Sequence, residues 1–438
     1  MLTLRAPLVL LLLAAPGLFT PVAWWWLLAA VAVTAVAIGG DLLLAGAVGQ
    51  LRATRAGDRR VRSGESATVT LTLHNRGVRP VFGRVRDAWV PSAGAASTPA
   101  PAEPVLIPPG EVLTVTTVLR PRGRGERPAG RVTVRSYGPL RLAYRQTSRR
   151  GSARLTPQWS LRVLPPFHSR RLLPEKLSRL RALQGLRTTH GRGHGTEFDS
   201  LREYVVGDDI RSIDWRATAR AEHVTVKTWR PERDRRVLCV LDTGRTSAAR
   251  VGDEPRLDAG IDAALLLANL AVTTGDRVDL LAMDQQLRAS LKGGHRSTVA
   301  ALMDGLATLS PTLVETDYRR LAAEVLSRAP RRCLVVLFTT LEPAAFAAGL
   351  LPVLPSLRAR HLVVVASVAD PAVPALAAQR GEVADIYTAA AATRTLATSD
   401  RLHRALDRYG VPVVSAPPER FASAVADVYL DLKAAGRL

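Results

Sequence analysis

Residues 236–247 read Arg-Val-Leu-Cys-Val-Leu-Asp-Thr-Gly-Arg-Thr-Ser, an apolar run that ends at Asp242. A short, continuously apolar run is typical of a strand that is buried on both faces of a parallel sheet. Similar runs recur at 278–283, 333–338, 362–366 and 411–414, and helical patterns lie between or after them at 257–272, 298–309, 318–328, 344–351, 395–409 and 419–434. This alternation predicts a doubly wound α/β domain over residues 236–438.

The chain has only two cysteines, Cys239 and Cys333, and both fall within predicted strands. We therefore expect both to be buried as small apolar side chains. So few cysteines exclude a disulfide-stapled secreted scaffold and any cysteine-rich zinc module. A reducing compartment fits this usage best.

Acidic and basic side chains interleave in residues 185–235, directly before the first predicted strand. His190, His194 and Glu197 have spacings that allow metal ligation, but the glycines among them argue against a helix that would hold the ligands. Asp208 and Asp209 would suit the general base of a hydrolase, yet no nucleophile can be named beside them. We favour an ion-pair network between arginines and carboxylates, formed by Arg202, Arg211, Arg216 and Arg220 with Glu203, Asp208, Asp209 and Asp214.

The same segment resembles the signature of the domain of unknown function 58 family. Four motifs occur in the family's order: Gly-x-Glu-Phe at 195–198, Arg-Glu-Tyr at 202–204, Gly-Asp-Asp-x-Arg at 207–211 and Ile-Asp-Trp-x-x-x-Ala-Arg at 213–220. The residues that define this signature are Glu197, Phe198, Arg202, Glu203, Tyr204, Gly207, Asp208, Asp209, Arg211, Asp214, Trp215 and Arg220. The resemblance implies a von Willebrand factor type A-like domain and a MoxR-type AAA+ ATPase as partner, but no reaction.

Ligands of doubly wound sheets bind beyond the carboxyl ends of the strands, where Asp242 lies. Residues 242–246 resemble the metal-ion-dependent adhesion site of the von Willebrand factor type A fold, whose pattern is Asp-x-Ser-x-Ser. Gly244 stands in place of the first serine, whereas Thr246 and Thr316 retain hydroxyls. A divalent cation needs several converging oxygens, so we expect no cofactor and at most weak Mg²⁺ binding at this degenerate site of Asp242, Thr246 and Thr316.

Residues 58–165 alternate in the manner of β-strands, at 67–73, 112–119 and 132–134, with turn clusters between them. Short β-branched strands bounded by turns predict a small antiparallel β-sandwich. The stretch 91–104, rich in Ala, Pro and Ser, is expected to be a flexible loop. We find no catalytic or metal motif in this module, so it is expected to act as a spacer or docking domain.

The first 50 residues are almost uncharged and are interrupted by prolines at 16 and 21. A stretch of about 19 residues spans a bilayer core of about 30 Å, so the run at 22–40 is long enough, while the run at 4–19 is short. Trp24, Trp25 and Trp26 suit the interfacial aromatic belt. We favour two transmembrane helices that form a hairpin over a cleaved signal peptide, because the second long run follows immediately.

The chain carries 60 Lys and Arg against 38 Asp and Glu, a net charge of +22. Residues 52–200 hold 28 of these cations against nine acids, so the excess begins directly after the predicted hairpin. Cations flank the hairpin at Arg5 and from Arg52 onward but are missing from its turn, which predicts both termini and the soluble body on the cytoplasmic side. Anionic membrane lipids are the expected partners of this charge, and no nucleic-acid partner is expected.

These observations favour a multi-pass cell-membrane protein that is a non-enzymatic adaptor or scaffold for a MoxR-type AAA+ ATPase, with a role in protein assembly or maturation. Its expected parts are a transmembrane hairpin at 1–50, the β-sandwich-like module at 58–165, the signature at 185–235 and the α/β domain at 236–438. Two alternatives stay open, a hydrolase that uses the carboxylates of 190–220 and an arginine-driven binder of lipid or nucleic acid.

Overall fold

The computed structural model describes residues 1–19, 21–147, 149–188, 197–206, 208–221, 223–230, 235–293 and 298–438. Within these ranges the chain forms two compact units, Met1–Pro166 and Phe167–Leu438. The first unit combines apolar helices with a β module. The second contains the signature segment and a mixed α/β sheet.

The first unit begins with two antiparallel apolar helices, α1 (Arg5–Ala14) and α2 (Ala23–Leu44), with a 3₁₀ turn over Ala15–Phe19. They hold together closely, because the indole Nε1 of Trp26 donates to the carbonyl of Leu13 at 2.8 Å. Among the described residues, the helical segment Ala23–Gln50 alone is long and apolar enough to cross a membrane, and α1 is a shorter apolar helix. One candidate span is therefore present where the sequence predicted two.

The carboxylate of Asp41, at the end of α2, holds this helix to the β module. It accepts hydrogen bonds from the backbone N–H groups of Leu140 (2.7 Å), Leu142 (2.8 Å) and Ala143 (2.9 Å). Gly138 lies so close that a Cβ on it would be 2.1 Å from Asp41 Oδ1. The segment 138–143 thus has a physical role, because its backbone N–H groups surround one buried carboxylate.

Two facing sheets form the β module, and their apolar side chains alternate inward along each strand. One sheet has the order β1-β3-β7-β5, and the other has the order β2-β10-β8-β4-β6 with β9 paired to β8. Leu71 and Leu73 of β3 share a core with Val85 of β4 and Val132 of β8, so the two sheets bury a common interior. The elements are β1 (Leu51–Gly57), β2 (Arg60–Arg62), β3 (Ala67–Asn75), β4 (Val81–Trp89), β5 (Ala95–Thr98), β6 (Val105–Ile107), β7 (Val112–Leu119), β8 (Gly125–Tyr137), β9 (Tyr144–Gln146), α3 (Arg149–Leu155) and β10 (Ser160–Leu164).

The second unit is built on a six-stranded sheet of order β17-β16-β13-β18-β19-β20, in which only β17 runs antiparallel to its neighbour. Its elements are α4 (Leu173–Thr188), β11 (Glu197–Glu203), α5 (Trp215–Thr218), β12 (Thr225–Arg230), β13 (Arg236–Asp242), α6 (Arg245–Ala248), β14 (Arg250–Val251), β15 (Glu254–Pro255), α7 (Arg256–Thr273), β16 (Arg277–Met283), β17 (Leu287–Leu291), α8 (Thr298–Ala307), α9 (Tyr318–Arg328), β18 (Leu334–Phe338), α10 (Pro343–Ala345), α11 (Leu354–Arg358), β19 (Leu362–Val368), α12 (Ala372–Ala377), α13 (Val383–Arg408), β20 (Val413–Ala416) and α14 (Pro418–Ala434).

Helices cover both faces of this sheet, which explains why its strands are apolar at consecutive positions. Leu238 and Val240 of β13 share a core with Leu321 of α9 and Leu354 of α11. On the opposite face, Leu241 lies against Gly260 of α7, where a Cβ would be 3.6 Å from Leu241 Cδ2. The strand order reverses between β13 and β18, so a crevice is expected at their carboxyl ends.

Four local features differ from the expectations. Helix α13 begins at Val383, twelve residues before the predicted start at 395. β17 was not predicted, because its burial alternates as at the edge of a sheet and it lacks a continuous apolar run. The predicted loop at 91–104 contains β5, which pairs with β7. Cys333 lies directly before β18 rather than within it, and both cysteines are buried.

Candidate functional site

The signature segment forms a two-stranded antiparallel ladder, β11 with β12. In its register Glu197 is opposite Arg230, Phe198 is opposite Trp229, and Glu203 is opposite Thr225. The ladder continues into the following turn, because Tyr204 N–H donates to the carbonyl of Val224 at 2.8 Å. The backbone therefore brings the first two signature motifs beside the segment that follows the last one.

One predicted arginine–carboxylate pair forms within this segment. Arg202 Nη2 lies 2.5 Å from Asp208 Oδ1, and the second oxygen of Asp208 accepts the N–H of Val205 at 3.0 Å. The hydrogen bond to Asp208 raises the pKa of Arg202 from its usual value. Asp208 thus closes the turn at 205–208 while its charge is balanced by Arg202.

The other two aspartates of the signature bind backbone N–H groups. Asp209 accepts from Arg211 N–H at 3.0 Å, and Asp214 caps α5 by accepting from Arg216 N–H (3.0 Å) and Ala217 N–H (3.1 Å). The Ala217 N–H, followed by a hydrogen bond from Lys227, lowers the pKa of Asp214. Aspartate favours such positions because its short side chain reaches the free N–H groups of a helix start.

The geometry therefore differs from the predicted network in its partners. Asp214 is 3.1 Å from Lys227 Nζ, a residue outside the signature motifs. Arg211, Arg216 and Arg220 have exposed side chains, as has Glu203. Gly207, His190 and His194 lie outside the described residues. Asp208 and Asp209 each accept a hydrogen bond from a separate N–H group.

Four large apolar side chains within residues 205–215, called the apolar row for their order along the chain, are exposed. Val206 is 94% exposed, Ile210 67%, Trp215 66% and Val205 58%. Large apolar side chains concentrated at one place on a surface mark an interaction site more often than isolated ones do. Asp208, Asp209 and Asp214 are engaged within the segment. The segment therefore offers another molecule apolar side chains together with exposed arginines and the exposed Glu203.

The second candidate site is Asp242, at the carboxyl end of β13 and in the crevice at which the strand order reverses. The residue is 1% exposed. Its Oδ1 accepts from Gly244 N–H at 2.8 Å and from the hydroxyl of Thr316. Its Oδ2 accepts from the hydroxyls of Thr339 at 2.6 Å and Tyr318 at 3.1 Å.

These contacts bear on the predicted metal site. The hydroxyl of Thr316 donates to Asp242. Thr246 is half-buried, and its backbone carbonyl accepts from Thr340 Oγ1 at 3.5 Å. Gly244 provides no oxygen, and a Cβ there would be 2.2 Å from Thr316 Oγ1. Four donors occupy the acceptor positions of the single carboxylate, so the donor set fits a hydrogen-bonded aspartate better than a divalent cation.

Two further residues at this edge were not singled out from the sequence. Asp284 follows β16, is fully buried, and accepts from Arg288 Nε (2.6 Å), Thr312 Oγ1 (2.7 Å) and Gln286 N–H (2.9 Å). Burial raises its pKa, but these hydrogen bonds outweigh burial and leave the pKa lowered. Tyr318 has its pKa raised, mainly by burial and then by the charge of Asp242. The sequence signal for Asp284 was its place directly after an apolar run.

The model of one protein family, described as protein of unknown function DUF58, matches residues 200–409. This match supports the family resemblance drawn from the signature. No curated protein matches the chain.

Three solved structures illustrate the likenesses found among known folds. An aerotolerance-related membrane protein from Bacteroides fragilis is 16% identical, with 30% of this chain and 67% of that one covered and a TM-score of 0.20. The PapD-like domain 7 of human CEP192 is 13% identical over 26% and 83%, with a TM-score of 0.18. Proximal thread matrix protein 1 from the mussel byssus is 10% identical over 46% of each chain, with a TM-score of 0.24. Scores this low determine neither fold nor function.

Proposed function

We propose that this chain is a non-enzymatic membrane-anchored adaptor that engages a MoxR-type AAA+ ATPase through the signature segment, in the service of protein assembly or maturation. The observation that carries the proposal is the exposed apolar row of Val205, Val206, Ile210 and Trp215. Burying such side chains in an interface contributes about 25 cal/mol per Å² of apolar area. The same residues belong to the segment that resembles the DUF58 signature.

The chemistry of the segment favours docking over catalysis. Asp208 is paired with Arg202, and Asp209 and Asp214 hold backbone N–H groups, so these three carboxylates are already engaged in the turns. A general base needs a carboxylate within reach of a substrate proton. The exposed Arg211, Arg216 and Arg220 lie in the same segment as the apolar row and suit a partner whose docking surface is apolar with an acidic rim.

The helical hairpin is the proposed anchor, with α2 as the main span and α1 as a shorter second one. Leu28, Val31 and Val36 of α2 are 57%, 45% and 76% exposed, as lipid-facing side chains would be. The α/β domain, which we take to be von Willebrand factor type A-like, serves as the platform. Asp242 stabilises that platform, and we expect Mg²⁺ binding there to be weak or missing.

Site-specific photo-crosslinking of the full chain in its native membrane tests the docking surface. A benzophenone amino acid at position 206 should give a crosslinked product that contains the MoxR-type ATPase, because the side chain at 206 is fully accessible. The same amino acid at position 78 is the matched control, since Val78 is 87% exposed but lies in the β module. Immunodetection of the ATPase provides the measurement.

Position 313 tests whether the ATPase docks at the sheet edge that carries Asp242 instead. Leu313 is 85% exposed and follows Thr312 at that edge. A product at 206 and none at 78 or 313 supports docking through the signature segment. Products from 313 alone would move docking to the sheet edge and contradict the assignment. Capture of no ATPase from any of the three positions would contradict the adaptor function itself.

A further inference from the structure

A cavity of about 290 Å³ lies at the amino edge of the six-stranded sheet, opposite to the edge that carries Asp242. Its floor is apolar and is formed where β13, β18 and β19 begin, by Val237, Leu334 and Leu362. Four arginines also line it: Arg235, Arg236, Arg332 and Arg437. The cavity therefore combines an apolar floor with four guanidinium groups.

Two aspartates near this cavity are already neutralised, while Leu438, with its terminal carboxylate, also belongs to the lining. Asp276 accepts from Lys433 Nζ at 2.6 Å and from the hydroxyl of Tyr429 at 2.6 Å. Asp279 forms an ion pair with Arg236, and Arg236 also donates to the carbonyl of Arg328 at 3.0 Å. Lys433 and Arg236 thus balance the charges of these two aspartates. The other three arginines that line the cavity are Arg235, Arg332 and Arg437.

Within the described part of the chain, no ion pair joins Arg332 or Arg437 to a carboxylate, and both side chains are exposed to solvent. Arg235 is half-buried at the same cavity, and its acidic sequence neighbours Glu232 and Asp234 lie outside the described residues. Arg332 and Arg437 are therefore the side chains best placed to bind an anion, and Arg235 lines the same cavity. Like charges gathered at one concave site repel each other, and a bound anion relieves that repulsion.

The chemistry of guanidinium identifies the class of anion. Each guanidinium presents a planar fork of N–H donors that binds carboxylate or phosphate in a bidentate manner. A phosphate monoester carries a charge of about −1.5 to −2 and three terminal oxygens, so several arginines can bind it at once. The apolar floor suits a small organic part attached to that phosphate, and the volume lies near the lower end of ligand pockets, which span roughly 300–1,000 Å³.

We propose that this cavity is a binding site for a small phosphate-bearing anion, held by Arg332 and Arg437 over the floor of Val237, Leu334 and Leu362. A free phosphorylated metabolite and a lipid phosphate headgroup share this chemistry. The site is separate from the signature segment and from Asp242, so it would add a ligand to the proposed adaptor rather than explain its docking.

Binding is measured on the full chain in nanodiscs of phosphatidylcholine, with pyrophosphate as the soluble probe and isothermal titration calorimetry as the readout. Arg332→Gln and Arg437→Gln should each weaken pyrophosphate binding by about tenfold or more, the loss expected for a charge-assisted hydrogen bond. Arg319→Gln is the matched control, because Arg319 is an exposed arginine on α9 and its replacement changes net charge equally. Arg332→Lys should restore part of the affinity, since it keeps the charge but not the fork.

A second arm identifies the source of the phosphate. Nanodiscs that contain phosphatidic acid replace the soluble probe, and competition by the lipid for pyrophosphate binding is recorded. Saturable pyrophosphate binding lost in Arg332→Gln and Arg437→Gln supports the site, and competition by phosphatidic acid in addition assigns it to lipid headgroups. Equal loss in Arg319→Gln, or no saturable binding in either arm by a protein whose melting curve shows it folded, overturns the proposal.

Discussion

At the scale of single residues, Asp242 is expected to stabilise the α/β unit mainly through the hydrogen bonds that its two oxygens accept. Three hydroxyls and one N–H group donate to it, and the residue is 1% exposed. Asp242→Asn replaces one acceptor oxygen by an NH₂ group that faces hydroxyl donors. We expect the free energy of unfolding of the α/β unit to fall by about 1–3 kcal/mol, the cost of unsatisfied buried polar groups.

The effect of Asp242→Asn is measured as a lower thermal midpoint of the full chain. Asp253→Asn is the control, because it makes the same chemical change on an exposed residue and should leave the midpoint unchanged. Addition of millimolar Mg²⁺ to the native protein distinguishes a metal-binding Asp242 from one that only accepts hydrogen bonds. A rise of several degrees that disappears in Asp242→Asn would show a metal site and contradict the hydrogen-bonded role.

At the scale of elements, the joint between α2 and the β module rests on one carboxylate and one glycine. Asp41 accepts three backbone N–H groups of the 138–144 segment, and Gly138 leaves the space that the carboxylate fills. We expect Asp41→Asn to increase the amide hydrogen exchange of residues 140–143 by about tenfold or more, because a charged acceptor becomes a weaker neutral one. Exchange measured by mass spectrometry on the full chain checks this.

Gly138→Ala tests the same joint from its other side. Its Cβ would collide with Asp41, so exchange over 140–143 should rise as in Asp41→Asn. Gly39→Ala is the matched control on α2, because no atom lies within 4 Å of the Cβ it would add. Unchanged exchange in both joint variants, or an equal increase in the control, would contradict the role given to Asp41.

Sequence patterns predicted the elements whose signal lies in consecutive residues, but not the contacts between residues far apart in the chain. The continuous apolar runs located β13, β16 and β19, because burial on both faces leaves a signal in every residue. Asp242 could be chosen because it ends such a run. Tyr318 could not, since its contact with Asp242 joins residues 76 positions apart. The pairing of Asp41 with the 138–143 backbone was equally hidden, because backbone donors leave no trace in side-chain identity.

At the scale of the whole molecule, the net charge of +22 is distributed unevenly between the β module and the α/β unit. The β module carries most of it, while the α/β unit keeps its buried acids matched to specific donors. Asp284 with Arg288 and Asp276 with Lys433 are examples. The arginines of the amino-edge cavity are the local exception within that unit. A single function for all the positive charge is therefore unnecessary, because the proposed lipid attraction and the proposed phosphate binding would involve different arginines.

The positions of the hairpin ends predict its membrane topology. Leu2 bridges to Ala143, and Asp41 binds the same segment, so both ends of the hairpin meet the β module. If the proposed hairpin spans the membrane, we expect the turn near Phe19 to reach the opposite side. Phe19→Cys in intact cells whose outer surface is accessible should react with a membrane-impermeant maleimide, whereas Gln50→Cys should react only after lysis.

The native cysteines give little background, because both are buried and burial raises the pKa of Cys239 to about 12 and that of Cys333 to about 11. Labelling of position 50 but not of position 19 in intact cells would show the opposite topology. Labelling of both positions only after lysis would contradict a hairpin that spans the membrane.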